Sequence, residues 1–107
     1  MSWLVTILNK TVMAELDALP VDMRARFSRI SMLIENYGLE NVHEPHVKHL
    51  EGHLWEMRLT GRDGIARAIY ITASGKRVVI VHVFTKKSQK TPHHELEIAR
   101  KRAKEVK

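Results

Sequence analysis

The chain has 107 residues, 44% of them hydrophobic and 28% charged, which suits one compact domain and excludes a disordered composition. It holds no cysteine, so disulfides and thiolate metal sites are excluded. The formal charge of +6 is unevenly spread: residues 86–107 carry eight Lys or Arg against three Glu, so the excess lies almost wholly in the last fifth of the chain.

Such a patch attracts phosphates, acidic proteins or anionic lipid, though a solubilising helix face has the same composition. No apolar run approaches the roughly 20 residues of a membrane span. The start, "MSWLVTIL", has no basic flank and no cleavage-like site, so no signal peptide and a cytoplasmic location are expected.

In chain order, Trp3 to Leu8 reads as a short apolar strand. A helix is predicted over 10–19, with Val12, Leu16 and Leu19 at helical spacing, and Pro20 ends it. A stronger helix follows over 22–37. Met23, Phe27, Ile30, Ile34 and Tyr37 share one face, and Gly38 is a C-terminal stop. Residues 39–53 show no period, contain Pro45 and Gly52, and are expected to be a loop.

The period then changes to two. In "LWEMRLT", Leu54, Glu56, Arg58 and Thr60 face one way and Trp55, Met57 and Leu59 the other. "GRDG" is a turn signal, "IARAIYITA" the next strand, and "SGK" turns again. "RVVIVHVF", 77–84, is β-branched almost throughout, as for a strand covered on both faces. Thr91 can cap a last helix with Pro92 at its first position, and Leu96, Ala99, Ala103 and Val106 form its apolar stripe. The expected fold is α+β, a single domain over 1–107 in the order β-α-α-β-β-β-α. Two N-terminal helices pack on one face of a small, mostly antiparallel sheet, and the other face stays partly polar.

Glu56 and Arg58 lie one pleat apart on that second face. Arg67 interrupts an apolar strand and needs an anionic partner or an outlet to solvent. A hairpin turning at "GRDG" brings Arg67 near both. Lys86, Lys87 and Lys90 emerge where the last strand ends, and His93 and His94 begin the helix beyond it. RNA cleavage by the neighbouring 2′-hydroxyl needs one group to take a proton, one to give a proton, and cations for the phosphorane. Glu, His, Arg and Lys supply these without a metal. His43, His46, His49 and His53 crowd the loop, but they match no helical metal motif and lack cysteine, so no metal or other cofactor is expected. His82, inside an apolar strand, is expected to be packed rather than catalytic.

The segments "LEGHLWEMRL", "GIARAIYI" and "VVIVHVFTKKSQKTP", in this order, closely resemble the phage-derived, HigB-like branch of the RelE/ParE toxin superfamily. The resemblance runs over nearly the full length. It implies a RelE-like fold and the toxin of a type II toxin–antitoxin pair, an endoribonuclease that cleaves translated mRNA on the ribosome without a metal. It places the catalytic groups at Glu56, Arg58, Arg67, Lys87 and His93, and RNA contacts at Arg58, Arg67, Lys86 and Lys90. Tyr70 reads as packing. The implied partners are a cognate antitoxin, of helix-turn-helix type, which alone would touch DNA, together with the ribosome and mRNA. One departure stands out: several relatives carry an assisting tyrosine near the C-terminus, and here no Tyr follows Tyr70, leaving His93 as the nearest substitute. The alternatives are a non-catalytic gyrase inhibitor of the ParE type and a basic nucleic-acid or partner-binding module.

Overall fold

A computed structural model describes residues 2–86 and 90–107. Strand β1, Leu4–Ile7, leads to Asn9, whose side chain accepts the Val12 N–H at 3.0 Å and starts helix α1, Lys10–Asp17. Pro20 separates α1 from α2, Val21–Tyr37, which ends at Gly38 with φ +92°, a conformation that a side chain would resist. Strands β2, Val47–Glu51, β3, Leu54–Gly61, β4, Gly64–Ala73, and β5, Arg77–Lys86, follow, and then helix α3, His93–Ala103.

The five strands form one sheet in the order β1-β5-β4-β3-β2. β1 runs parallel to β5, and the remaining pairs are antiparallel. The α+β class and the two N-terminal helices are as the sequence predicts. The strand count is not. The stretch expected to be a loop contains a 3-10 turn, Leu39–Asn41, and β2. β2 is an edge strand whose place is fixed by its register against β3, Val47 opposite Met57 and Lys48 opposite Glu56, rather than by a period of its own.

α1 and α2 cover one face. Val12, Leu16, Met23, Ile30 and Ile34 pack there on Met57, Leu59, Ala66, Ala68, Tyr70, Val78, Ile80 and Val83. Each fully buried aliphatic side chain of this kind contributes about 1.5–3 kcal/mol. Asp22, in the first turn of α2, accepts the Arg62 N–H at 2.6 Å and ties the β3–β4 turn to the helix. That approach requires glycine at 61, where a Cβ would lie 2.7 Å from Met23 Cγ. Among the described residues no helix is long and apolar enough to cross a membrane.

The second face is less open than expected. α3 lies on part of it, where Leu96, Ala99, Ala103 and Val106 meet Leu54, Ile69, Val79, Val81 and Phe84. β5 is thus covered on both faces, as its composition predicts. A bulge sets which of its residues face where. Ile69 pairs with His82 and Tyr70 with Ile80, so Val81 is the extra residue. Before it, Val78 and Ile80 face α1 and α2; after it, Val83 does. The bulge therefore reverses the alternation and turns Phe84 and Lys86 toward the face that carries Arg67.

Candidate functional site

Glu56 and Arg58 stand on β3, Arg67 on β4 and Lys86 at the end of β5, on the face away from α1 and α2. Arg58 is the cross-strand neighbour of Arg67, and Arg67 of Phe84. Alternation along β3 puts Glu56 beside Arg58, and the hairpin adds Arg67. Lys86 arrives through the bulge.

The four side chains form one charged cluster. Arg67 and Glu56 are 0% and 1% exposed and joined through Arg67 Nη1 and Glu56 Oε2. Arg58 Nε stands 3.8 Å from the same oxygen, and the Arg58 side chain as a whole is the least buried of the four. The other carboxylate oxygen, Oε1, accepts a hydrogen bond from the Thr91 hydroxyl at 2.9 Å. Lys86 Nζ donates to Thr91 Oγ1 at 3.4 Å. Thr91 therefore does not cap α3 with its side chain: Pro92 is the N-cap residue, and the hydroxyl is spent on the cluster.

Three cations thus surround one carboxylate in a poorly hydrated place. Burial pushes the Lys86 ammonium down to about 8; Arg67, Arg58 and Lys48 add to the effect and Glu56 opposes it. Burial likewise lowers Arg67 from its usual value, against the attraction of Glu56. An arginine so placed still holds its proton. Among the described residues the cluster carries more positive than negative charge, which favours an anion, and Arg58 and Lys86 bring it nearest the surface. A phosphodiester has the charge and the acceptor oxygens to meet it.

The other predicted site residues are placed differently. His93 is 74% exposed, and its Nε2 pairs with Glu97 at 3.0 Å rather than with Glu56. Lys90 is exposed, ahead of α3. Lys87 lies outside the described residues. Tyr70 is buried against α1 and α2, and that burial raises its phenol pKa, in keeping with packing. His49 lies on β2, edge-on to Trp55, with its Nε2 2.8 Å from the Gly52 carbonyl oxygen.

His82 is buried, as expected, but in polar company. Its Nε2 is 2.8 Å from Glu95 Oε1, its Nδ1 is 3.4 Å from Glu15 Oε1, and its ring stacks on Phe84. Arg102 Nη1 donates to Glu15 Oε1 at 2.9 Å and to the Val81 carbonyl at 3.2 Å, and Glu15 accepts the Val83 N–H at 3.1 Å. β1 ends at Ile7, so these two side chains take up backbone groups of β5 that no strand reaches. Composition gives no hint of this. A bulge and an uncovered strand edge have no signature in a run of β-branched residues.

A cavity of about 790 Å³ lies elsewhere, between the sheet and the 39–44 loop, lined by Trp3, Val42, His49, Trp55 and Tyr70 among others. Its walls are mainly apolar, and it lacks converging cations. The chemistry favours the cluster.

The arrangement is an α+β toxin-like fold of the RelE kind, with a cationic cluster on the sheet. Residues 14–104 match the family model described as "Phage derived protein Gp49-like (DUF891)", and the chain belongs to that family. It is also similar to a chain of the crystal structure of the archaeal RelE–RelB complex from Pyrococcus horikoshii OT3. The identity is 25% and the TM-score 0.62, over 84% of this chain and 100% of that one. A comparison with curated proteins returned no match.

Proposed function

We propose that the protein is the toxin of a type II toxin–antitoxin pair of the HigB-like kind, and that it cleaves mRNA on the ribosome without a metal. The observation that carries this reading is the convergence of Arg58, Arg67 and Lys86 on a buried Glu56. The structural similarity to a chain of a RelE–RelB complex supports a protein antitoxin as partner. Attack of a 2′-hydroxyl on its own phosphate adds negative charge to the non-bridging oxygens. Cations preorganised in a dry site stabilise that charge more than water does. Arg58, Arg67 and Lys86 are so placed. Lys90, exposed ahead of α3, extends the basic surface for the RNA, and Glu56, Lys86 and His93 are the groups among which proton transfer is to be assigned.

The test is cleavage of mRNA on purified ribosomes by the wild-type chain and by Arg58→Ala. Arg58 is the least buried member of the trio, so its loss should disturb the fold least. We expect cleavage by the wild type and a rate about 10²–10³-fold lower in the variant, as for removal of one preorganised donor. A wild-type chain that leaves ribosomal mRNA intact but stalls DNA gyrase would establish the ParE-type alternative instead.

A further inference from the structure

One group of the cluster can exchange a proton near neutral pH without leaving its place. Arg58 and Arg67 keep theirs. Glu56 has both oxygens engaged, Oε2 by Arg67 and Oε1 by Thr91. His93 stands in solvent beside Glu97. Lys86 is 9% exposed, and its Nζ donates to Thr91 Oγ1. The Thr91 hydroxyl has one proton, given to Glu56, so a lone pair of its oxygen is turned to the ammonium. A flexible four-carbon side chain is thereby held at a defined point beside the two arginines.

We infer that Lys86, aimed by Thr91, is the general acid of the site and protonates the 5′-oxygen that leaves when RNA is cut. This rests on the endoribonuclease reading above. In the step, the bond from the 2′-oxygen to phosphorus forms as the 2′-hydroxyl proton passes to water. The bond from phosphorus to the 5′-oxygen breaks as Lys86 gives that oxygen its proton. The products are a 2′,3′-cyclic phosphate and a 5′-hydroxyl, and solvent returns a proton to Lys86, so no co-reactant is needed.

Among the described residues, the groups that face Lys86 include Lys48 on β2, Glu56 and Arg58 on β3, Arg67 on β4 and Thr91 ahead of α3. Burial, with three like charges against one carboxylate, leaves the ammonium acidic enough to give up its proton in this pH range. Thr91 is a positioning residue that acts through Lys86.

The experiment is single-turnover cleavage of ribosome-bound mRNA between about pH 6 and 9, a range that brackets a working general acid. The proteins are wild type, Lys86→Arg, Thr91→Val and Thr91→Ser, and affinity for a 2′-O-methyl RNA of the same sequence is measured in parallel. With the protein below saturation, where the rate reports the free protein, we expect the wild-type rate to fall above about pH 8. Lys86→Arg keeps the charge and the affinity for the analogue, cleaves about 10²-fold more slowly or worse, and loses the alkaline fall. Thr91→Val slows cleavage without weakening binding, and Thr91→Ser restores it. Lys86→Arg cleaving at the wild-type rate with the same pH profile overturns the inference and leaves Lys86 as a binding charge. Should Lys86→Arg fail to fold, the Thr91 pair decides: Thr91→Val at the wild-type rate and profile overturns it equally. A wild-type chain that does not cleave removes the endoribonuclease reading itself, whereas a cleaving wild type with an indifferent Lys86→Arg removes the inference alone.

Discussion

Arg67 shows how far a single residue can be read and where the reading stops. An arginine inside "IARAIYI" announces an anionic partner, and alternation along β3 puts Glu56 on the right face to be that partner. Both inferences agree with the structure. What a sequence does not show is depth. Arg67 and Glu56 are fully covered, so Arg67 is structural as well as electrostatic. Removing one member of a buried pair strands the other, at a cost of about 3–5 kcal/mol. Arg67→Ala is therefore expected to lower stability by that order in urea unfolding, and not to separate catalysis from folding. The double replacement Arg67→Met with Glu56→Leu should recover part of the loss, because neither member of the pair is left buried without the other, while Lys86 loses the carboxylate that opposes its burial. A double variant no more stable than Arg67→Ala would show that the pair is held by more than its mutual charge. Thr91 carries the complementary lesson. Ser or Thr ahead of a helix is read as a cap, and only the position of Glu56 shows the hydroxyl to be engaged elsewhere.

At the scale of elements, the helices and central strands were legible because each repeats its own period over many residues. β2 and the β5 bulge were not, because both are set by a neighbour. The bulge also depends on α1 and α3, since Glu15 takes the Val83 N–H and Arg102 the Val81 carbonyl. Burial works to raise the Glu15 pKa. The hydrogen bond and charge of Arg102, the Val83 N–H and the charge of His82 outweigh it, so the carboxyl lies below its usual 4.5. A carboxyl depressed in the folded state adds stability that is complete above the unfolded value. That stability is lost as the pH falls through the folded one. Glu15→Gln should accordingly be less stable than wild type at neutral pH, by about 1–3 kcal/mol for disturbing a partly buried charged hydrogen bond. The gap should narrow below about pH 4.5. Chemical unfolding of both proteins across that range measures it; a gap constant down to strongly acid pH would mean that Glu15 is not the titrating clamp.

For the molecule as a whole, charge decides what it can meet. The excess in residues 86–107 was evident from composition, but composition does not say which cations act together. The fold draws Lys86 out of that segment and joins it to Arg58 and Arg67, while α3 spends Arg102 on Glu15 and Arg100 on Glu51. The number of cations offered to a polyanion is thus smaller than the count in the sequence. If Arg58 and Lys86 each neutralise one phosphate of a single strand, the logarithm of affinity should fall against the logarithm of salt with a slope of about −1.4, at about −0.7 per phosphate. Arg58→Ala should flatten it by about 0.7. pH adds a second handle. Lys86 loses charge as the pH rises through about 8, and a bound phosphate holds the proton on. Binding then takes up a proton above that pH, so affinity for a 2′-O-methyl RNA weakens with rising pH in the wild type and stays level in Lys86→Arg. The folded protein moves the opposite way. Lys86 is depressed from 10.5, so the unfolded chain holds more protons between about 8 and 10.5, and stability contributed by this group rises with pH across that window. Alkaline buffer should therefore loosen RNA while relieving the fold of a buried charge. Parallel titrations of binding and of unfolding check the pair, and an affinity that fails to fall above pH 8 would place the phosphate away from Lys86.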